Sequence, residues 1–145
     1  MDASAKTIVN AFKKYGIDCG VDEEPLITRV CNGFLCSLHG KEFQVCVFFI
    51  ISKQDGSVCS ELRFSYGDGN DVVCRDVEKG LQVCNRLNNY TNLFYTFALM
   101  QNSNVLFAKC PFPSFINKGK FALFLYSVAA SHMEELILPE LGKCI

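Results

Sequence analysis

The sequence predicts an α+β fold in which helices pack on an antiparallel β-sheet, in the element order α-β-β-β-α-β-β-α. Three observations carry this expectation. Apolar residues recur at helical spacing in three separate segments. Stretches rich in Val, Ile and Phe with a period of two lie between them. The strands come as hairpins, without the strand–helix–strand alternation that builds a parallel sheet.

Ala5, Ile8, Val9, Phe12 and Tyr15 form the stripe of a first helix, with Lys6, Lys13 and Lys14 off it. Asp2 or Ser4 suits its N-cap and Gly16 its left-handed stop. Ile17 to Pro25, with Asp22, Glu23 and Glu24, reads as an exposed acidic connection. Leu26 to Val30 is a short first strand, which Phe34 to Leu38 extends before a turn at His39-Gly40-Lys41. Phe43 to Ser52 is the strongest strand, dense in β-branched and aromatic residues. Gln54-Asp55-Gly56-Ser57 makes the next turn, with Asp-Gly as its hairpin chemistry. In Val58 to Tyr66, Val58, Leu62, Phe64 and Tyr66 take one face and Glu61, Arg63 and Ser65 the other.

Gly67 to Asn70 breaks the sheet, and Asn70 or Asp71 is placed to cap a second helix. Its expected stripe is Val73, Val77, Leu81, Cys84 and Leu87. Gly80 inside it costs about 1 kcal/mol relative to Ala, which close packing against the sheet would explain. A strand from Leu93 to Met100, a turn at Asn102-Ser103-Asn104 and a strand from Val105 to Cys110 follow, ended by Pro111 and Pro113. The third helix runs from Asn117 to about Ile137 and stops at Pro139. It is apolar nearly all round from Phe121 to Ala130, as a well-buried central helix is.

The chain of 145 residues reads as one domain, 1–145, long enough to bury a core. Half of it is apolar and 20% is charged, which argues against disorder. A net charge of -1, with Lys118 to Lys120 the only basic cluster, sets up no field for a phosphate backbone, so no nucleic-acid partner is expected. Asp2, Lys6, Lys13 and Lys14 interrupt the apolar run a secretion signal needs. Phe121 to Ala130 is about half the length of a membrane helix. A cytoplasmic protein without a membrane partner is the expectation. Its nine cysteines include no C-x-x-C and are read as reduced thiols, several packing as small hydrophobes.

The element order, the helix end Asn85-Arg86-Leu87-Asn88, the aromatic strand Leu93-Phe94-Tyr95-Thr96-Phe97-Ala98 and Phe112-Pro113 before the third helix together carry a resemblance. Over Leu26 to Leu141 the chain resembles the YbjN-type family of bacterial sensory transduction regulators, which shares its fold with the type III secretion chaperones. That family is more acidic and has fewer cysteines. The resemblance implies a type III secretion chaperone-like fold and a small, commonly dimeric protein that acts by binding a protein client. It brings no catalytic residues, cofactor or metal.

The residues themselves offer several chemistries. Asn85 and Asn88 share a face of the helix end, where Asn either caps the helix and its following loop or meets a partner. His39 and His132 are the only histidines. His39 is three residues from Cys36 but sits on a turn without a defined acidic partner, and His132 falls on the polar side of the third helix beside Glu135, so neither completes the set an activated thiol needs. Cys31-x4-Cys36 is half of a zinc site without a second pair. Gly67-x-Gly69 is too short for a dinucleotide loop. The feature read as functional is apolar surplus. If Phe43, Val45, Val47, Phe49 and Ile51 face the helices, Cys46, Phe48 and Ile50 lie on the other face beside Glu61 and Arg63.

Cover from the first helix or the Ile17 to Pro25 connection is the alternative. Burying Phe48 and Ile50 on a partner would contribute on the order of 3 to 5 kcal/mol before association costs. The expected function is therefore a non-enzymatic, dimeric, client-binding protein with Cys46, Phe48 and Ile50 at the contact surface. A dedicated type III secretion chaperone, and a thiol- or zinc-dependent enzyme, are the rival expectations.

Overall fold

The computed structural model describes residues 1–145 as an α+β protein. Its elements are α1 (Ala3–Lys13), β1 (Gly20–Glu23), β2 (Ile27–Leu38), β3 (Lys41–Ser52), β4 (Val58–Tyr66), α2 (Val77–Asn88), β5 (Thr96–Leu99), β6 (Leu106–Pro111), α3 (Lys118–His132) and α4 (Leu138–Leu141). A 3₁₀ turn, Thr91–Leu93, precedes β5, and a π turn, Met133–Ile137, joins α3 to α4. The six strands form one sheet in the order β1-β2-β3-β4-β6-β5, and every neighbouring pair is antiparallel. The predicted order of elements is present, with one strand added at the front.

That strand corrects the reading of Ile17 to Pro25 as a connection. Gly20–Glu23 pairs with β2 from Gly20–Cys31 to Glu23–Thr28, and all four of its residues are exposed. An exposed strand shows no apolar alternation, and acidic residues suit a sheet edge. Arg29 on β2 anchors the region through Glu24 at 2.8 Å and Asp22 at 3.9 Å. β2 itself is continuous where the sequence reads as two pieces. Its hairpin to β3 closes through His39 (φ 51°) and Gly40 (φ 78°), the paired left-handed residues of a type I′ turn.

β3 divides the molecule. Phe43, Val45, Val47, Phe49 and Ile51 are all buried, as are Val58, Leu62 and Phe64 of β4. All the helices lie over this side. Phe12 of α1 meets Phe49 at 5.7 Å between ring centroids, and Tyr126 of α3 sets its edge on both Phe12 (5.4 Å) and Phe34 (5.8 Å). Asp2 caps α1 by accepting from Ala5 N–H at 2.8 Å, and Asn117 caps α3 by accepting from Lys120 N–H at 3.0 Å. Gly119 lets the two helices close on each other, since a Cβ there would stand 3.1 Å from the Thr7 carbonyl oxygen. Among buried polar groups, Ser60 and Tyr95 satisfy one another at 2.7 Å.

Further expectations need correction. α2 begins at Val77, capped by Asp76, whose carboxylate accepts from Lys79 N–H at 3.1 Å; Asn70 and Asp71 do not cap it. Asp71 and Val73 make bridges to Ser65 and Val105 instead. The buried stripe of α2 is Gly80, Val83, Cys84 and Leu87, while Val77 and Leu81 are 42% and 52% exposed.

β5 is shorter than the predicted strand, because Phe94 takes a left-handed backbone (φ 66°) ahead of it. Pro111 closes β6 from inside, opposite Cys59.

α3 is not buried all round: Gly119, Ala122, Leu125 and Ala129 face the core and Phe124 is 43% exposed. Nor does Pro139 stop the helix. The π turn, in which Leu138 N–H bonds to the Met133 carbonyl, puts Pro139 in the first turn of α4, where a missing N–H costs nothing. Lys118–Leu141 is thus a continuous 24-residue helical stretch, long and apolar enough to cross a membrane by length and composition, a test that core helices also pass.

Candidate functional site on the open face of the sheet

Strand alternation and cross-strand register build the second face of the sheet. One row across it reads Cys31, Phe48, Glu61 and Lys109. The next reads Gly33, Cys46, Arg63 and Phe107, and a third Arg29, Ile50 and Cys59. The predicted trio Cys46, Phe48 and Ile50 therefore sits together along β3 in the middle of this face, each half-buried by its neighbours. Neither expected cover lies across it. α1 packs on the opposite face, and β1 extends the sheet sideways.

The face is concave here, enclosing about 590 Å³ lined by residues of β1 to β4 and by Asp71. Apolar Phe48 and Ile50 occupy its middle, and charge surrounds them. Glu61 is only 7% exposed and receives the Arg63 Nε–H at 2.6 Å. Arg63 also lies 6.0 Å from the centre of the Phe107 ring, and the Lys109 ammonium 5.4 Å from the same ring. Arg29, tied to Glu24, closes the end next to β1.

Cys31 and Cys46 both line the concavity, as diagonal neighbours across the β2–β3 pair. The neighbouring Cys31 thiol holds Cys46 down at about 7, and Cys46 together with burial pushes Cys31 up. No other thiol is shifted that way. Burial raises Cys59, and pushes Cys36 and Cys110 up to about 11. Burial, then Cys74, pushes Cys144 up to about 12.

The other sequence candidates are separated. Cys36 lies in the helix-facing core and donates to the Phe43 carbonyl at 3.7 Å, while His39 sits in the exposed hairpin turn. Cys31 and Cys36 occupy opposite faces of β2, so the loose zinc pair is split. No group of three or more His, Cys, Asp and Glu side chains is arranged to hold a metal ion. Asn88 turns out to cap a strand edge: its Oδ1 accepts from Phe97 N–H at 2.6 Å and its Nδ2 donates to the Phe97 carbonyl at 3.0 Å. Asn85 is exposed on the same helix end.

Two participants escaped sequence reasoning. Splitting β2 at Cys31 concealed that Cys31 shares a face with Cys46. The burial of Glu61 was not legible either, because the side chains around it belong to other strands.

Fold and site together define a two-layer α+β protein with helices on one side of its sheet and a mixed apolar and charged hollow on the other. No family model, no curated protein and no solved structure matches this chain.

Proposed function

We propose that this chain is a non-enzymatic, YbjN-like protein-binding domain that forms a dimer and offers the open face of its sheet to a protein client. The carrying observation is that Phe48 and Ile50, with Cys46 beside them, lie on a sheet face that none of the chain's own elements crosses. The surroundings agree with a binding surface. An apolar centre ringed by arginine and carboxylate is the usual anatomy of protein interfaces, in which Arg and aromatic residues carry much of the energy. The Glu61–Arg63 pair is already satisfied within the chain, so covering it with a client leaves no carboxylate unpaired. The resemblance to the YbjN-type family points to the same mode of action.

The test is Phe48→Asp, which sets a carboxylate in the centre of the hollow beside Glu61. Affinity capture from native extract, read by mass spectrometry, is expected to lose the client, while the variant keeps the wild-type circular dichroism spectrum. A folded Phe48→Asp protein with the same partners and the same oligomeric state by light scattering would refute the assignment.

A further inference from the structure

We propose that Cys46 and Cys31 form a redox-active dithiol on the open face of the sheet, oxidised reversibly by hydroperoxides. Three geometric observations lead there, and they hold whether or not the face binds a client. First, the residue directly opposite Cys46 on β2 is Gly33. A Cβ at Gly33 would fall 3.8 Å from the Cys46 sulfur, so the sulfur leans over a position that has no side chain. Second, Cys31 stands two residues along β2 on the same face, opposite Phe48 and diagonal to Cys46, with its own Sγ–H directed at the Asn32 carbonyl at 3.9 Å. Third, both line the concavity of about 590 Å³, which admits a small peroxide from solvent.

The remaining thiols lack this combination. Cys36, Cys74, Cys84, Cys110 and Cys144 are buried. Cys59 is half-buried and does not line the concavity. Cys19 is half-buried outside the concavity. The charged groups facing Cys46 are Arg63, directly opposite on β4, and Glu61, which Arg63 neutralises. Cys46 is the one thiol shifted toward the thiolate, the form that attacks peroxide.

The chemistry balances without a cofactor. The Cys46 thiolate attacks one peroxide oxygen; an S–O bond forms, the O–O bond breaks, and the other oxygen leaves as hydroxide or alkoxide and takes up a proton. Cys46 is then a sulfenic acid. Cys31 gives its proton to the departing oxygen of that acid, its sulfur displaces it, and water leaves as the S–S bond forms. Two thiols lose two electrons in all, and the hydroperoxide is reduced to water and an alcohol, or to two waters. A disulfide joining diagonal positions within a sheet is strained, and strained disulfides are readily reduced by cellular thiols, so the step reverses.

The test uses the full chain with hydrogen peroxide as the probe, followed by blocking of free thiols and digestion with trypsin. Cleavage at Arg29, Lys41 and Lys53 puts Cys46 alone in residues 42–53, and Cys31 with Cys36 in residues 30–41. The expected product is a 30–41 to 42–53 cross-link that dithiothreitol removes. It should persist in Cys36→Ser. In Cys31→Ser it should be replaced by a Cys46 sulfenic acid that dimedone traps. Cys46 should be lost on the order of tenfold faster than Cys59 at pH 7. The proposal is overturned if wild-type Cys46 stays reduced while Cys19 or Cys59 oxidises, or if the cross-link survives in Cys31→Ser.

Discussion

Gly80 lies where α2 crosses Cys74 and Leu99. A Cβ on it would overlap the Cys74 sulfur and come within 3.1 Å of a Leu99 methyl carbon. The thiol is not free to retreat, since it donates to the Asp76 carbonyl at 2.9 Å and also meets Cys144. Two effects oppose each other in Gly80→Ala. The helix gains about 1 kcal/mol in propensity. Overpacking a fixed neighbour costs about 1–3 kcal/mol. The steric cost is expected to win, so guanidinium denaturation should show a net loss of up to about 2 kcal/mol. A rise in the midpoint would mean that α2 slides outward cheaply and that Gly80 is not a contact residue. Sequence alone placed a packing glycine here, but not its partner, because Cys74 precedes α2 in a segment whose backbone makes sheet bridges.

Asn88 acts on a whole element. Its amide bonds both backbone groups of Phe97, and so occupies the outer edge of β5 as a short neighbouring strand would. Open sheet edges invite pairing with other chains, and proteins block them by such means. Asn88→Ala should therefore do two things. Losing both hydrogen bonds is expected to cost about 1–3 kcal/mol in thermal or chemical denaturation. The freed edge should also make light scattering on heating depend on protein concentration more steeply than in the wild type. An unchanged melting temperature would show that the amide merely rests against the strand.

How legible each element was follows from where its signal sits. β3 and β4 were read with correct faces because every second residue of Phe43–Ile51 is buried and an Asp-Gly turn fixes the register. β1 was invisible, since all four of its residues are exposed and pairing with β2 leaves no mark on composition. For α2, Val73 and Val77 match a 3.6-residue period by chance. The true stripe turns on Gly80, which has no side chain for a pattern to register. Pro139 misled for a related reason, because the π turn that accommodates it depends on backbone bonding.

Over the whole molecule, one strand separates a sealed layer from an open one, and adjacent phenylalanines fall on either side. Phe49 is fully buried, with the rings of Phe12 and Phe112 at 5.7 and 6.1 Å. Phe48 is half-buried in the hollow, between Cys31 and Glu61 on the flanking strands. The trio Cys46, Phe48 and Ile50 was legible because alternation alone decides faces. The charge and the second thiol around it were not, because they come from the register of other strands.

This asymmetry makes a sharp comparison of two neighbouring truncations. Phe49→Ala removes a ring from a close-packed core and should cost about 3–5 kcal/mol. That is a large share of the roughly 5–15 kcal/mol that holds a domain together. Phe48→Ala gives up only partial burial against solvent, and should cost about 1 kcal/mol or less. Equilibrium denaturation of both variants at low protein concentration reads the difference directly. Equal losses would mean that the open face is covered in the free protein. If the loss at Phe48 then grew with protein concentration, the cover would be a second copy of the chain, and the client surface would have to lie elsewhere.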